Sequence, residues 1–403
     1  MGNKAPLTQG QLTLELLDVM AGLGGEASTK EVYAVIGDRL GLTREEREQR
    51  LECGDEFRAF DRDVRWAKEL AKKRGMMETP KRGLWRLTQA GFRMAKNATP
   101  GVHITMYELD FGRVVWAMAE TAFGYVEDNS VQSIITSPPF ALQRPKAYDN
   151  VSQDQFVDWF MPIGREMARV IRPDGSIVLN FGHAWEKNHP VQSLYHYRLL
   201  IRLCDELGLH LAQEFCWHNP SRLPSPAQWV TVNRLRVKDA FENVFWLSKT
   251  PYPKSNQRAV LKEYSEQMKA LIRRGGEKAV TRPSGHQIAE GAFAKDNGGA
   301  IPPNVLIAAN TRSQGAYFKG CREEGLPIQP ARFPEEFEFF VKLTTDRHDR
   351  VMDPFFGSGT IGEICERLER YWLGCDMHLP YLLGSMFRFP KVAVPDLPQL
   401  AFA

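Results

Sequence analysis

Two short stretches of the sequence hold the residue types best suited to chemistry. The first, Thr136-Ser137-Pro138-Pro139-Phe140, directly follows the apolar run Val131-Gln132-Ser133-Ile134-Ile135, which reads as a strand. Two consecutive prolines fix the backbone and remove two N–H donors, leaving rigidly aimed carbonyl acceptors beside a serine hydroxyl. Such a set suits an amine. The exocyclic amino group of a nucleobase is a poor nucleophile because its lone pair is delocalised into the ring. Accepting hydrogen bonds from its two hydrogens favours the pyramidal form needed for attack. Phe140 then offers a face on which an extruded base can stack. As a bare tetrapeptide Ser-Pro-Pro-Phe is a common loop sequence, and its weight comes from its position and its companion.

That companion is Asp353-Pro354-Phe355-Phe356-Gly357-Ser358-Gly359-Thr360, which follows the strand-like Val351-Met352 and opens a helix containing Ile361, Ile364, Cys365 and Leu368. Glycines at a strand-to-helix turn let the backbone bend tightly and approach a ligand at the sheet's C-terminal edge. A second strand, Tyr371 to Cys375, ends in Asp376 about 20 residues after the glycines, where a carboxylate can accept from both hydroxyls of a ribose. The pair implies a cofactor that carries a nucleoside. The spacing does not fit the GxGxxG of a dinucleotide site.

The elements that must hold these motifs are legible around them. From about residue 105 onward, short apolar runs alternate with amphipathic helices, predicting an α/β domain with a largely parallel sheet. Strands are expected at 131–136, 176–181, 241–247, 350–354 and 371–375. Phe156, Phe160, Ile163 and Met167 share a helical face, as do Leu199, Leu203 and Leu207. Residues 249–304 are rich in Lys, Arg, Gly, Pro and Ser with little strand signal, which reads as an insertion riding on the sheet.

The first hundred residues have a different grain. Ser28-Thr29-Lys30-Glu31 and Thr43-Arg44-Glu45-Glu46 both fit a helix capping box. Phe57, Phe60, Val64 and Ala67 or Lys68 follow helical spacing toward a stop at Gly75. Strand-like Met76 to Thr79 and Leu84 to Thr88 then flank the turn Pro80-Lys81-Arg82-Gly83. Helices followed by a hairpin with Lys81 and Arg82 at its tip predict a winged helix-turn-helix over residues 1–98, with the remaining domain at 99–403. A helical interaction module with a charged surface is the plainer alternative.

Composition narrows the field. The chain has 403 residues, 43% hydrophobic and 25% charged, enough for one large core or two unequal domains. No apolar run is long enough to span a bilayer and the start lacks the apolar centre of a signal peptide, so a cytoplasmic protein is expected. The six cysteines form no CxxC pair, so neither a disulfide framework nor a metal site is expected. The net charge is only +3, yet residues 62–96 hold 11 Lys or Arg against 3 acids, and residues 219–300 hold 14 against 7. Two basic stretches of this kind suit a nucleic-acid backbone. None of the nine histidines is required by an amine-holding site of this kind, and His183, in Asn180-Phe181-Gly182-His183, reads first as structural.

The motifs together resemble those of DNA amino-methyltransferases, in which a D/N/S-P-P-Y/F tetrapeptide is catalytic and an F-x-G-x-G-like loop binds S-adenosylmethionine. Their order resembles the circularly permuted class called beta. The stretches TSPPFALQR (136–144), NPSRLPSP (219–226), TRPSGH (281–286), DNGGAIPPN (296–304) and PARFPEEF (330–337) are similar to the PvuII-type cytosine-N4 group, over roughly residues 105–390. WAKELAKKRGMMETPKRGLWRLTQAG (66–91) resembles the winged N-terminal domain of Mrr-type restriction proteins.

This resemblance implies a Rossmann-like, S-adenosylmethionine-dependent fold and a site-specific duplex-DNA methyltransferase acting on cytosine N4. It also implies a setting of restriction and modification, with a cognate endonuclease as a possible partner. By position, Ser137, Pro138 and Pro139 would hold the target amine and Phe140 would stack on the base. Asp353, Phe355, Gly357, Gly359 and Thr360 would line the cofactor loop, with Asp376 on the ribose. Arg332, Phe333 and Pro334 match the segment that closes over the methionine end, and Gln329 departs from the histidine often found before it. Residues 219–304 correspond to target recognition, where Lys249, Lys254, Arg258, Lys262, Arg273, Arg274 and Arg282 join Lys81 and Arg82 as DNA-facing cations. Adenine N6 is the alternative target, Ser137 tipping the reading to cytosine. A regulator that binds DNA and merely senses a nucleoside is the alternative of another class.

Overall fold

The computed structural model describes residues 9–40, 59–88, 103–141, 151–310, 313–324 and 326–390, with isolated positions at 42–43, 47–48, 91, 97–98, 100–101 and 392. The expected capping box at Thr43 to Glu46, together with Phe57, Cys53 and Leu142 to Arg144, falls wholly or partly outside these residues.

The N-terminal unit packs α1 (Gln9–Gly22), α2 (Thr29–Arg39) and α3 (Ala59–Lys73) beside a three-stranded antiparallel sheet of β1 (Glu26–Ser28), β2 (Met77–Lys81) and β3 (Leu84–Leu87), ordered β1-β3-β2. Ser28 caps α2 reciprocally: its hydroxyl accepts from the Glu31 N–H at 3.3 Å, and Glu31 Oε2 accepts from the Ser28 N–H at 2.9 Å. One face of α3 supplies Val64, Ala67 and Ala71 to the core, and the other exposes Arg62, Arg65, Trp66, Lys72 and Lys73. The hairpin turns on Arg82 and Gly83 alone. Lys81 already pairs with Leu84 across the strands, and Gly83, at φ +81°, adopts the left-handed conformation that the tight turn needs. The three-residue β1 was invisible to periodicity because it is too short to show any.

The second unit is a nine-stranded sheet ordered β12-β8-β9-β7-β6-β13-β14-β5-β4. Its centre is parallel: β7 (Ile171–Phe181), β6 (Val131–Thr136), β13 (Arg350–Asp353), β14 (Tyr371–Asp376) and β5 (Gly112–Trp116). Antiparallel strands β4 (Ile104–Glu108) and β9 (Phe241–Ser248) flank it, and β9 pairs with β8 (His210–His218), whose outer neighbour is β12 (Val305–Ile307). All five expected strands are present, and β4, β5, β8 and β12 are additional. The expected helical faces belong to α5 (Gln153–Val170) and α6 (Tyr195–Leu207), after the short α4 (Ala119–Phe123). Among the described residues no helix is long and apolar enough to cross a membrane. The inserted segment carries α7 (Glu266–Arg273) and the two-residue strands β10 (Val280–Thr281) and β11 (Gln287–Ile288), followed by α8 (Ala316–Glu323) and α9 (Glu338–Thr344).

Connectivity explains the site. From β6 the chain moves outward to β7, and from β13 it moves the opposite way to β14, so β6 and β13 form the switch point of the sheet. Loops leaving neighbouring strands at such a point diverge and open a crevice. Ser137 follows one strand and Pro354 the other.

The glycine turn after β13 is held from beneath by Phe356. Its ring stacks on Trp372 with centroids 5.6 Å apart, and it lies so close to Gly374 that a Cβ there would come within 2.2 Å of the ring. The helix α10 (Thr360–Arg367) adds Gly362, whose Cβ would meet the same ring at 2.7 Å. Gly374→Ala should therefore displace Phe356 and lower stability by about 1–3 kcal/mol, read as a lower urea midpoint at unchanged m-value.

Candidate functional site

The two motif loops meet in a cavity of about 240 Å³ at the C-terminal edge of the sheet. One wall is Ser137, Pro138, Pro139 and Phe140; another is Pro354, Phe355, Asp376, Met377 and His378. Trp159 from α5, Met118 and Glu120 at the start of α4, and Gln329 and Ala331 complete it. The lining is mainly apolar and aromatic with a few polar groups, the composition of a small-molecule site.

A buried hydrogen bond joins the motifs. Thr136 Oγ1 donates to Asp353 Oδ1 at 2.6 Å, and the same oxygen accepts from the Phe355 N–H at 3.2 Å. Asp353 is 3% exposed and does not border the cavity. Its expected place in the cofactor lining is corrected to that of a strut, because β13 ends with this side chain directed at its neighbour β6. Burial pushes its carboxyl up to about 7, against the two hydrogen bonds that lower it, and the charge of Asp376 adds to the rise.

Asp376 does reach the cavity. Its Oδ2 accepts from the Gly357 N–H at 2.8 Å and its Oδ1 from the His378 N–H at 2.8 Å. Each oxygen keeps a lone pair for a ligand hydroxyl. Burial raises this carboxyl to about 6, opposed by those two N–H groups.

Gly357 (φ +51°) and Gly359 (φ +80°) stand in left-handed conformations. A Cβ on Gly357 would also strike the Gln329 amide at 2.4 Å. Gln329 in fact seats the overlying segment on the turn, its Oε1 accepting from the Ser358 N–H at 3.2 Å. Its role here was not readable from its sequence position, because the contact spans 29 residues. Thr360 is buried and its hydroxyl donates to the Phe333 carbonyl at 3.4 Å.

Three further expectations are corrected at this segment. Arg332 does not line the cavity: its guanidinium lies over the Phe318 ring at 4.6 Å and donates to the Gln329 carbonyl. Phe333 stacks on Phe337 with centroids 4.0 Å apart, and Pro334 opens the short 3-10 turn Glu335–Phe337. These three residues brace Gln329 and Ala331 from behind.

On the opposite wall, Phe140 lies against Gly182, where a Cβ would come within 2.4 Å of its ring. Ser137 Oγ donates to the Asn180 backbone carbonyl at 3.4 Å and accepts from Asn180 Nδ2 at 3.4 Å. Ser137 is also part of the cavity lining. His183 is buried, with Nε2 2.8 Å from Asn243 Oδ1, and His196 beside it is held neutral by burial, its pKa lowered to about 4. Neither is part of the cavity lining. Among the described residues no three His, Cys, Asp or Glu side chains converge to hold a metal.

The cations divide unexpectedly. Lys249 Nζ donates to Asn129 Oδ1 at 2.8 Å and to the Ile171 carbonyl at 2.7 Å, and Lys254 pairs with Asp349 at 2.6 Å and Asp346 at 2.9 Å. These partners lie at the ends of the strands opposite the cavity, so Lys249 and Lys254 are withdrawn from the DNA-facing set. Arg258, Lys262, Arg273, Arg274 and Arg282 are exposed, as are Lys81 and Arg82. A group passed over in the sequence, Arg222, Arg234, Arg236 and Lys238, occupies the loop between β8 and β9. That loop leaves from the cavity edge of the sheet, since Phe181 at the end of β7 pairs with Asn243 at the start of β9. Its signal was the alternation Arg234-Leu235-Arg236-Val237-Lys238, in which Leu235 and Val237 are 62% and 86% exposed.

The buried carboxyls make stability depend on pH with a definite sign. Asp353 and Asp376 have an ordinary value of 3.8 and folded values near 7 and 6. Both ionise more readily in the unfolded chain, so their contribution is fully present below about pH 4 and is lost as pH rises to about 7. The unliganded protein should lose melting temperature between pH 5 and 7.5, and Asp353→Asn should remove most of that slope; an unchanged slope would contradict it.

Comparison with known proteins agrees with this geometry. Residues 131–386 match the family model described as DNA methylase, and residues 10–97 match the Mrr N-terminal domain. The type II methyltransferase M.PvuII of Proteus hauseri is 46% identical over 265 residues, 65% of this chain and 79% of that protein. M.BglII of Bacillus subtilis is 26% identical over 261 residues, 64% of this chain and 63% of that protein. A solved structure of PvuII DNA methyltransferase, described as cytosine-N4-specific, aligns with TM-score 0.59 and 35% identity, covering 74% of this chain and 94% of that one.

Proposed function

This chain belongs to the DNA methylase family, and we propose that it transfers a methyl group from S-adenosylmethionine to the N4 amino group of cytosine in duplex DNA. The observation that carries the reading is the cavity in which Ser137-Pro138-Pro139-Phe140 faces Phe355 and Asp376 across the β6/β13 switch point. Likeness to M.PvuII supports cytosine N4 rather than adenine N6. A regulator that only senses a nucleoside has no use for an amine-holding wall opposite the cofactor wall.

The donor fits the residues present. Asp376 would accept from the ribose hydroxyls, Phe355 and the neighbouring aromatic wall would flank the adenine, and the N–H groups of the glycine turn would lie along the nucleoside. When bound, the donor supplies an electrophilic methyl on a cationic sulfur. Ser137 Oγ and the rigid Pro138 carbonyl would hold the target amine as acceptors. Phe140, pinned by Gly182, would hold the plane of the extruded base. No general base is required, since the nitrogen becomes cationic on taking the methyl while the C–S bond breaks to leave a neutral thioether, and its now acidic spare proton can leave to water. The relatives' type II classification supports a cognate endonuclease of the same specificity, and an enzyme acting on cellular DNA works in the cytoplasm.

Nucleoside mass spectrometry of DNA incubated with the protein and labelled donor should show N4-methylcytosine; N6-methyladenine alone would refute the base assignment. Ser137→Ala should lower the transfer rate at least tenfold while leaving donor affinity within about twofold, and Asp376→Ala should weaken donor binding first. Equal weakening of donor binding by both in calorimetry would refute this division.

For DNA, the β8–β9 loop cations Arg234 and Lys238 and the winged unit's Lys72, Lys73, Lys81 and Arg82 support phosphate contacts on two surfaces. Each phosphate neutralised contributes about −0.9 to the slope of log K against log salt. Neutralising Lys81 and Arg82 together should flatten that slope by about 1–2 while leaving the modified sequence unchanged. An unaltered slope would remove the wing from the interface.

A further inference from the structure

The β8–β9 loop exposes apolar side chains that phosphate contacts do not explain. Leu235 is 62% and Val237 86% exposed, on either side of Arg236, and the exposed cations Arg234 and Lys238 stand outside them. Water penalises apolar surface held outward in this way. The loop is nevertheless built to hold it there. Arg236 turns inward, its guanidinium carbon 3.5 Å from the centroid of the Trp185 ring and its Nη1 donating to the Pro190 carbonyl at 3.3 Å. The Leu235 N–H donates to the Trp229 carbonyl at 2.9 Å, and Lys238 Nζ donates to the Arg222 carbonyl at 3.2 Å. Arg234, at φ +53°, takes a left-handed conformation that is costly for a residue with a side chain.

Two contacts place this stretch on the rim of the cavity. Asp239 Oδ1 lies 3.9 Å from His183 Nδ1, and the preceding Gly182 is the residue against which Phe140 packs. The carbonyl of Trp185, the residue beneath Arg236, accepts from Gln153 Nε2 at 2.7 Å, two residues along the chain from Val151 in the cavity lining. Residues 236–239 are therefore seated on the segment that touches the Phe140 wall at one end and the start of α5 at the other. With Arg236 turned inward, Leu235 and Val237 point away from the protein beside the cavity.

We infer that Leu235 and Val237 form a wedge that enters the base stack of duplex DNA at the place the target base leaves. This rests on the amino-methyltransferase reading of the cavity. The attacking lone pair of an exocyclic amine projects from the face of its base, where stacked neighbours cover it, so the base must leave the helix to react. Its departure breaks a pair and opens an apolar gap between the neighbouring bases. Side chains that fill the gap lower the cost of the open state. Apolar bulk is needed there, because a polar group would lose its water without gaining a partner. Cations immediately outside the apolar pair match the phosphates on each side of the gap. The inward anchor at Arg236 keeps the wedge from folding back.

The test needs the modified sequence, which unmodified genomic DNA incubated with the unaltered protein and labelled donor supplies. If no base there is methylated, the proposed function itself fails. Two duplex oligonucleotides carrying that sequence are then the probes, one fully paired and one with an abasic site opposite the target base. Leu235→Ala combined with Val237→Ala should lower single-turnover transfer to the paired duplex at least tenfold. On the abasic duplex, where no pair has to break, the same variant should stay within threefold of the unaltered protein. Donor affinity and melting temperature should hold, since both side chains are exposed, and the salt slope of DNA binding should hold, since no cation is removed. Leu235→Met combined with Val237→Ile should keep most of the rate on the paired duplex.

Transfer to the paired duplex within twofold of the unaltered protein would overturn the inference. So would an equal loss on both duplexes, a flattened salt slope, or a rate loss matched by lost melting temperature and donor binding.

Discussion

The hydrogen bond from Thr136 to Asp353 is the constraint on which the site depends. These residues end neighbouring parallel strands whose continuations diverge, one into the prolines proposed to hold the amine and the other into the glycine turn proposed to hold the cofactor. Methyl transfer requires donor and acceptor in line at close range, where small displacements are costly in rate. A 2.6 Å bond between two buried side chains sets the relative height of the two loops at their roots. Because the carboxyl also receives the Phe355 N–H, the cofactor turn is aimed by the same side chain that joins it to its neighbour.

That arrangement also explains what was legible in the sequence. The strands that flank the switch point are largely buried and carry short apolar segments, Ile134-Ile135 and Val351-Met352, and their loops carry Pro and Gly at positions where backbone geometry is demanding. Ser137 to Phe140 and Gly357 to Asp376 were therefore visible without a structure. Strands β4 and β5 were missed because Gly112, Arg113 and the exposed ends of an edge hairpin dilute the apolar pattern. Strand β8 was missed because its first residues, His210 to Gln213, are exposed at an outer part of the sheet.

Side-chain direction was the harder inference. Asp353 and Arg332 were assigned to the cofactor because of their place in a motif, yet one turns toward the next strand and the other toward an aromatic ring. Motif membership fixes where a residue lies along the chain and leaves its role as ligand or brace undetermined. The same holds for the cations. Lys249 and Lys254 belong to a basic stretch by count, but the chain there passes the far end of the sheet, where backbone carbonyls and Asp346 and Asp349 use their charge internally. Charge density along a sequence reports a surface only when the strand polarity that places it is known.

Strand polarity, in turn, brings the proposed DNA contacts and the cavity to one edge. Because β9 runs antiparallel to β7, it begins beside the end of β7, so a loop entering β9 arrives next to Ser137 without any insertion into the central sheet. The β8–β9 loop thus carries exposed Arg234, Leu235, Val237 and Lys238 to the rim of the cavity, while Arg222 at its base contacts Glu242. The cations proposed to contact phosphate and the carboxylate of Glu242, which accepts from Asn180 behind Ser137, share a single connection. The permuted order of the two motifs leaves this edge intact, since a parallel sheet is indifferent to which strand comes first provided each contributes its C-terminal end to the same crevice.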